Sequence, residues 1–518
     1  MSEAIHQFEP PQIHSREGGK LELPDSWVFT LLGNIVDYGK ATKATAADVD
    51  EGTWVLELED IEKNTSKLLR KVTFKDRMFK STKNRFGKGD VLYGKLRPYL
   101  NKIIVAEDDG VATTEIIPLN GGVFLDNGYI FYWLKSAEFL SYVTKVGYGV
   151  NMPRLGTNDA KVAPFVLAPL AEQKQIATQL DQLLAQVDTL KNRLDAIPNI
   201  LKRFRQSVLA AAVSGKLTEE WRGENECSDT SVFIAQLELE RNELKSKKKL
   251  KKSFGPSKAV SPLFTGIDAR WQWVGFEHIA AHDNNALKAG PFGSALKKSD
   301  CIESGYKVYG QEQVIAGNEG LDTYFISATK FEQLSSCEVG AGDILISLVG
   351  TIGKVLILSE DAEKGIINPR LVKLGLQGFV NREFIRFYLE SPIAKGFFKG
   401  FSHGGTMDIL NLGILKELPI PFPPIEEQTE IVRRVEQLFT FADQIEQRVK
   451  DAQSRVNHLT QSILAKAFHG ELTAQWREDN PELISGENSA EALLARIKEE
   501  REKLAIANKR TNKTKKKQ

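Results

Sequence analysis

The chain has 518 residues, 42% of them hydrophobic, and its formal net charge is +1. This length accommodates three or four domains with buried cores. No stretch reaches the roughly 18 uncharged apolar residues of a membrane span, and the first residues lack a signal-peptide pattern, so we expect a cytoplasmic protein. The three cysteines, Cys227, Cys301 and Cys337, show neither an even count nor CxxC spacing, which excludes a disulfide framework and a cysteine zinc site.

The first predicted segment, residues 20–168, is a β-rich globular domain. Its stretch GDVLYGKLRPYLNKIIVA (89–106) predicts two strands joined by a turn. Between residues 63 and 102 there are 13 Lys or Arg and two acids, with Phe and Tyr interleaved. We interpret this stretch as a DNA-binding surface, a solvated charged face being the alternative. The candidate contacts are Lys80, Lys83, Arg85, Lys95, Arg97 and Lys102.

Residues 169–222 are predicted to form a long helix. Apolar residues are spaced alternately by four and three, a heptad seam typical of pairing with one other helix. Pro169 and Gly215 mark its start and end, and Pro198 inside it should remove one helical hydrogen bond. The seam residues are Ile176, Leu180, Leu183, Val187, Leu190 and Leu194.

A helix and a lysine-rich linker (223–265) precede a second globular domain at 266–423, in which GDILISLVGTIGKVLILSE (342–360) again predicts two strands joined by a turn. From Lys307 to Lys354 this domain has three lysines and six acids, so we expect its DNA contacts around GPFGSALKK instead. Lys288, Ser294, Lys297 and Lys298 are candidate phosphate contacts and Gln311 and Gln313 candidate base readers, an ordinary loop being the alternative. His278 and His282 lack the HExxH pattern, so no metal site is expected.

A second long helix at 424–477 is followed by a helix and a basic tail at 478–518. Its seam is Ile431, Val435, Leu438, Ile445 and Val449. Residues 169–222 match 424–477 at 18 of 54 positions without a gap, which indicates an internal duplication. The fold class expected is therefore α+β, with two similar β-rich domains separated by two long coiled-coil helices that pair with each other.

Catalytic motifs are missing from the sequence. It has no [DN]PP[FY] motif, no GxGxxG after a strand and no GxxxxGK[ST] loop; VGTIGK (349–354) has the wrong spacing for the last of these. We therefore expect a protein that is not itself an enzyme.

The chain resembles the specificity subunit of type I restriction-modification systems. The resemblance rests on PLAEQKQIATQLDQLL and PPIEEQTEIVRRVEQLF, each followed by a long helix that ends in GKLTEEWR or GELTAQWR. It extends over about residues 20–505, with further support from LPDSWVFTLLGNI, ARWQWVGFEHI and GPFGSALK.

This resemblance implies two target recognition domains, each reading one half of a bipartite, asymmetric DNA sequence. It also implies that the two long coiled-coil helices pair antiparallel and set the gap between the halves. It also implies two methyltransferase subunits and two restriction and translocation subunits as partners. S-adenosylmethionine, ATP and Mg would be bound by those partners and not by this chain. A coiled-coil scaffold that binds proteins, and a recognition module of a methyltransferase without a nuclease, remain alternatives.

Overall fold

The structure is a computed structural model that describes residues 23–147, 152–256, 258–349, 353–400 and 410–515, without the side chains of 294, 505 and 507–515. By their contacts, residues 1–195 with 451–518 form one compact unit, and residues 196–450 form the other. Each long helix therefore begins in one unit and ends in the other. The units cut across the six consecutive segments predicted from the sequence.

The first globular domain contains two small sheets and a separate pair formed by its first and last strands. Its strands are β1 (Val28–Leu31), β2 (Lys43–Ala44), β3 (Trp54–Leu56), β4 (Lys83–Phe86), β5 (Val91–Gly94), β6 (Ile103–Val105), β7 (Gly110–Ala112), β8 (Ile116–Leu119) and β9 (Pro164–Leu167). The sheet orders are β2-β4-β7-β3, in which β3 and β7 are parallel, and β6-β5-β8, while β1 pairs with β9. The helices are α1 (Leu32–Ile35), α2 (Asn127–Leu134), α3 (Ala137–Val146) and α4 (Thr157–Lys161).

The first long helix is α5 (Leu170–Val213), 44 residues long, and it continues through Pro198. At 1.5 Å per residue its length is about 66 Å. Gly215 follows it with φ of +77°, a left-handed conformation that glycine adopts without steric cost and that ends the helix as predicted. Two shorter helices follow, α6 (Glu219–Glu224) and α7 (Thr230–Ser246).

The second globular domain repeats this plan with additions. Its strands are β10 (Gln272–Val274), β11 (Leu287–Ala289), β12 (Tyr306–Tyr309), β13 (Phe325–Ile326), β14 (Glu338–Val339), β15 (Ile344–Ser347), β16 (Val355–Ile357), β17 (Gly365–Ile367), β18 (Leu371–Leu374) and β19 (Ile420–Phe422). Its helices are α8 (Phe276–Ile279), α9 (Gln311–Ala316), α10 (Ala328–Gln333), α11 (Arg382–Glu390), α12 (Pro392–Gly400) and α13 (Leu412–Glu417).

The central strands of the second domain match those of the first, while the edge strands differ: β13 lies next to β12, whereas β2 lies next to β4, and β11 is added beside β18. The sheet β13-β12-β17-β14 has one parallel pair, β12 with β17, as β3 pairs with β7. The sheet β11-β18-β15-β16 contains the hairpin β15–β16, which corresponds to β5–β6, and β10 pairs with β19 as β1 does with β9. The duplication therefore extends to the strands, and both hairpins predicted from the sequence are present.

The second long helix is α14 (Ile425–Phe468), also 44 residues, followed by α15 (Ala474–Asp479) and α16 (Ala490–Lys515). Gly470 ends α14 with φ of +78°, as Gly215 ends α5. The tail was predicted to be structureless, yet α16 continues into its lysine-rich part as far as Lys515.

The two long helices pair antiparallel, as expected. In the first unit, Ile176 and Leu180 share a core with Leu464 and Phe468, and Gln453 Nε2 donates to Asp195 Oδ1 at 2.7 Å.

In the second unit, Val208 and Ala212 share a core with Ile431 and Val435, and Arg205 forms ion pairs with Asp443 and Glu446. The first residues of α5 contact the last residues of α14 in the first unit, and the last residues of α5 contact the first residues of α14 in the second unit. This is the antiparallel arrangement.

The seam is most deeply buried at the two ends of the helix pair. Ile176, Leu180, Ile431 and Val435 are fully buried, while Leu190 is 44% exposed. The remaining seam residues are buried or half-buried: Leu183, Val187, Leu194, Leu438, Ile445 and Val449.

A buried glutamate joins the parts of the first unit. Glu172, at the start of α5, is fully buried, and its Oε2 accepts a hydrogen bond from Trp27 Nε1 at 2.7 Å. Its Oε1 accepts from Thr473 Oγ1 and from Arg477 Nη1, both at 2.6 Å. The buried carboxylate of the first repeat thus accepts hydrogen bonds from the Thr and Arg that follow the long helix of the second repeat.

The second unit contains the reciprocal cluster. Glu427 is fully buried and accepts from Trp271 Nε1 at 2.8 Å, from Thr218 Oγ1 at 2.6 Å and from Arg222 Nη1 at 2.5 Å. Here the Thr and Arg come from the end of the first repeat. We call each set of four residues (Trp, Glu, Thr and Arg) a glutamate clamp.

We predict that Glu427→Gln lowers the free energy of unfolding of the second unit by about 3 kcal/mol, because it removes the fully buried charge partner of Arg222 and leaves only the more exposed Asp268 to pair with that guanidinium. Urea unfolding followed by tryptophan fluorescence measures this, since Trp271 belongs to the clamp. Glu436→Gln, on an exposed position of the same helix, is the control and should change stability by less than about 0.5 kcal/mol. Equal midpoints for the two variants would contradict the role given to the clamp.

Candidate nucleic-acid interface

The basic stretch of the first domain is partly neutralised inside the domain. Arg70 and Arg77 both contact Glu59 and Asp60. Burial acts to raise the pKa of Asp60, but hydrogen bonds from Arg77 and Arg70 outweigh it and hold that pKa below its usual value. Two lysines are also paired, Lys71 with Asp108 and Lys83 with Glu57. These acids all lie outside residues 63–102. The net positive charge counted over residues 63–102 alone is therefore larger than the charge left unpaired in the structure.

Three of the candidates are associated with strand β4. Lys83 is only 6% exposed, and its ammonium lies 5.3 Å from the centre of the Phe79 ring as well as against Glu57. It is therefore a packing residue of the domain. Lys80 is exposed and forms no ion pair within the described residues, whereas exposed Arg85 donates to the carbonyl oxygen of Asp48.

The turn between β5 and β6 brings Lys95, Arg97 and Lys102 onto one short loop. Arg97 and Asn101 both have positive φ, +51° and +50°, a conformation that costs free energy for residues other than glycine and is often found at functional sites. Arg97 Nε is buried without a hydrogen-bond partner among the described residues, and Tyr99 is 45% exposed. Lys95 has no ion pair in the same part of the chain, and Lys102 Nζ donates to the carbonyl oxygen of Leu58 at 2.6 Å. The loop thus has available donors for an anion.

In the second domain the lysines of the GPFGSALKK segment are available. Lys297 and Lys298 are exposed and Lys288 is half-buried on β11, and over the described ranges none of the three forms an ion pair. Between Asp283 and Asp300 there is no acidic residue. The side chain of Ser294 lies outside the described residues. This segment concentrates positive charge in a domain whose other lysines are mostly paired, such as Lys307 with Glu363 and Lys330 with Asp300.

The two glutamines expected to read bases are used inside the second domain. Gln311 is buried, and its Nε2 donates to Ser347 Oγ at 2.7 Å. Gln313 is 1% exposed, its Oε1 accepts from Gly310 N at 2.8 Å, and its Nε2 faces the carbonyl oxygens of Leu321 and Asp322. Both side chains stabilise the turn after β12, so neither is free to reach a base edge.

The structure gives the two histidines ordinary roles. His278 Nδ1 accepts a hydrogen bond from Gly275 N at 3.0 Å at the start of α8, and burial lowers the pKa of both His278 and His282. Among the described residues there is no cluster of His, Cys, Asp or Glu able to hold a metal ion. No helix in the same ranges is long and apolar enough to cross a membrane.

Two domains of one topology, an antiparallel helix pair and unpaired basic loops define a duplicated DNA-recognition protein. The family model described as the type I restriction modification DNA specificity domain matches residues 293–452. The EcoBI specificity subunit of Escherichia coli is 38% identical over 372 residues, covering 72% of this chain and 71% of that protein. The EcoKI specificity subunit of Escherichia coli strain K12 is 36% identical over 386 residues, 72% of each chain.

The chain belongs to the family of type I restriction enzyme specificity subunits. This confirms the resemblance that the two repeated motifs indicated. It also confirms a non-catalytic role in recognising DNA and directing partner subunits. The HsdS subunit of Thermoanaerobacter tengcongensis has the same fold, with a TM-score of 0.54 at 17% identity, covering 87% of this chain and 98% of that one.

We predict that Gln313→Ala lowers the free energy of unfolding of the second unit by about 1–3 kcal/mol, because the amide of Gly310 loses its buried acceptor. Thermal unfolding measures the effect. Gln333→Ala, at the exposed end of α10, is the matched control and should leave the midpoint unchanged. A Gln313→Ala protein as stable as the control would restore Gln313 as a candidate base reader.

Proposed function

We propose that this chain reads a two-part, asymmetric DNA sequence, with one domain for each half and the antiparallel helices setting the unspecified gap. The observation that carries the proposal is one frame used twice with different loops. Both domains share the hairpin, the parallel strand pair and the glutamate clamp, yet the exposed basic groups lie on the β5–β6 turn in one and on the GPFGSALKK segment in the other. A constant frame with divergent loops suits the reading of two different half-sites.

The proposed DNA contacts are the basic residues whose charge is not consumed within the domain. In the first domain these are Lys80, Arg85, Lys95, Arg97 and Lys102, and in the second they are Lys288, Lys297 and Lys298. Such groups bind phosphates and fix register, whereas base identity is read by nearby polar groups and by DNA shape. Lys83, Gln311 and Gln313 are left out because of their internal contacts.

The proposal includes the rest of the assembly. Two methyltransferase subunits would supply adenine methylation with S-adenosylmethionine, and two restriction subunits would supply ATP- and Mg-dependent translocation and cleavage. The complex would act on double-stranded DNA in the cytoplasm.

The role of the helix pair is tested by shortening both helices together. Gln453 and Asp195 fix the register, so residues 187–193 of α5 face residues 455–461 of α14. Deleting both heptads shortens the pair by about 10.5 Å and should reduce the gap in the target by about three base pairs. Adenine methylation is mapped across the genome of cells that carry the wild-type chain, the deletion variant or no chain.

Without the chain, a two-part motif should lose methylation, and with the deletion variant its gap should be shorter. An alanine-rich helical heptad inserted at both positions is the control and should return the original gap. A two-part motif with an unchanged gap would contradict the spacer role, and no motif lost without the chain would contradict the proposed function itself.

For phosphate contact, we expect Lys297→Ala with Lys298→Ala to reduce the slope of log K against log salt concentration by about 1.8, since each phosphate contact contributes about 0.9. Lys330→Ala is the control in the same domain, because its ammonium pairs with Asp300. Lys95→Ala in the first domain should reduce the slope by about 0.9, with Lys71→Ala as its control. Slopes equal to the wild-type slope would place these lysines away from DNA.

A further inference from the structure

Among the described residues of the second unit, the most exposed aromatic side chain lies on the loop with the unpaired lysines. Phe292 is 81% exposed, although a phenylalanine normally gains about 1.5–3 kcal/mol from burial. It follows buried Pro291 and precedes a single helical turn at Gly293–Ala295. An isolated exposed apolar residue needs no explanation by itself, so the setting of Phe292 decides its meaning.

The backbone of this loop holds Phe292 in a defined place. Gly290 N donates to Leu371 O at 3.0 Å, and a Cβ atom at Gly290 would lie 1.9 Å from the carbonyl oxygen of Asn368. Only glycine therefore permits this close approach of the loop to the segment before β18. On the other side of Phe292, Ala295 N donates to Phe292 O at 3.2 Å. The loop is therefore tied to the domain before Phe292, the bond after Phe292 closes a helical turn within the loop itself, and the ring is exposed to solvent.

The surroundings of Phe292 match the charge of a DNA backbone. Lys288 lies four residues before it and Lys297 and Lys298 lie five and six residues after it, all without ion pairs within the described residues. No acidic residue occurs from 284 to 299. Lysines that engage phosphates on a loop would bring the apolar ring to the groove between them.

We propose that Phe292 enters the DNA as an apolar wedge at one base step of the half-site that the second domain reads. An aromatic ring inserted at a step partly unstacks it, and the free energy required depends on the sequence of that step. Pyrimidine–purine steps unstack most easily, so Phe292 favours such a step without hydrogen bonding to a base.

The first domain has no counterpart of this wedge. Asp48, six residues before β3, has its counterpart in Asp300, six residues before β12, because each carboxylate accepts a hydrogen bond from the backbone amide three residues earlier. Phe292 lies in the longer segment before this turn, residues 280–296, where the first domain has only residues 36–44. The wedge therefore distinguishes how the two half-sites are read, and the inference rests on the proposed function of the second domain.

The experiment compares Phe292→Ala with the wild-type chain, each purified from its host as the complex with its methyltransferase subunits. The probe is duplex DNA that carries the methylated motif found by mapping, with 2-aminopurine replacing in turn each adenine of either strand in and next to the half-sites. Phe292→Ala should weaken binding about tenfold or more, as expected for loss of one aromatic–base stack, with an unchanged salt slope because no phosphate contact is lost. Apart from the target adenines that the methyltransferase subunits flip out of the duplex, the wild-type complex should raise 2-aminopurine fluorescence at one step of the second domain's half-site, and Phe292→Ala should abolish that rise alone.

Phe441→Ala is the matched control, since Phe441 is another exposed phenylalanine of the same unit, located on α14. Its dissociation constant and fluorescence pattern should equal those of the wild type. Phe292→Trp should retain both binding and the fluorescence rise. Because Phe292 is exposed, Phe292→Ala should unfold at the same temperature as the wild type.

Two results would overturn the wedge. One is a Phe292→Ala complex that binds within twofold of wild type with the same fluorescence pattern. The other is loss of methyltransferase subunits from the purified complex with unchanged DNA binding by the complex that remains, which would make Phe292 a contact for the partner. If the paired lysine substitutions also leave the salt slope unchanged, the DNA face proposed for the second domain fails as well, and the two failures are thereby distinguished.

Discussion

The architecture depends on two carboxylates that cannot be buried alone. Glu172 and Glu427 lie at the first turns of the long helices with no exposed surface, and an unpaired charge there would cost several kcal/mol. Each is satisfied by a Thr and an Arg that follow the end of the other long helix, 301 and 305 residues away for Glu172. The Thr and Arg that bond to each glutamate come from the other repeat. The antiparallel pairing of the long helices and the packing of their ends therefore depend on each other.

Much of this arrangement follows from sequence, but the partners in the clamp do not. The constant offset of 255 residues, the glycines that end the helices and the two hairpins are local signals, and each has the expected structure. The bonding of each Thr and Arg to the glutamate of the other repeat is not such a local signal. Thr218 and Thr473 occur in equivalent motifs, and no sequence pattern says which glutamate each one contacts. Long-range pairing also explains Lys83, whose partner Glu57 lies outside the basic window. Gln311 and Gln313 were expected to read bases, but both are buried, Gln311 against Ser347 at the end of β15 and Gln313 within the segment that follows β12.

The two domains show how one frame acquires different surfaces. The order of the central strands and the clamp geometry are shared, whereas the first domain has a basic turn with two residues at positive φ and the second has a loop with an exposed ring between lysines in the sequence. Loops tolerate such divergence because their substitution leaves the buried strand pairs intact. The second sequence repeat is eleven residues longer than the first. The additional residues lie in the middle of the repeat, between parts that kept their spacing.

The clamps also set an order of events on the ribosome. Residues 196–450 are contiguous, so the second unit has every member of its clamp once Glu427 has emerged. The first unit starts earlier but needs Arg477, which is translated 305 residues after Glu172. At about 5–20 residues per second that interval lasts about 15–60 s, during which Glu172 has no counter-charge. The domain that is synthesised first is therefore the last to be completed, and a nascent chain cut short before residue 477 leaves it open.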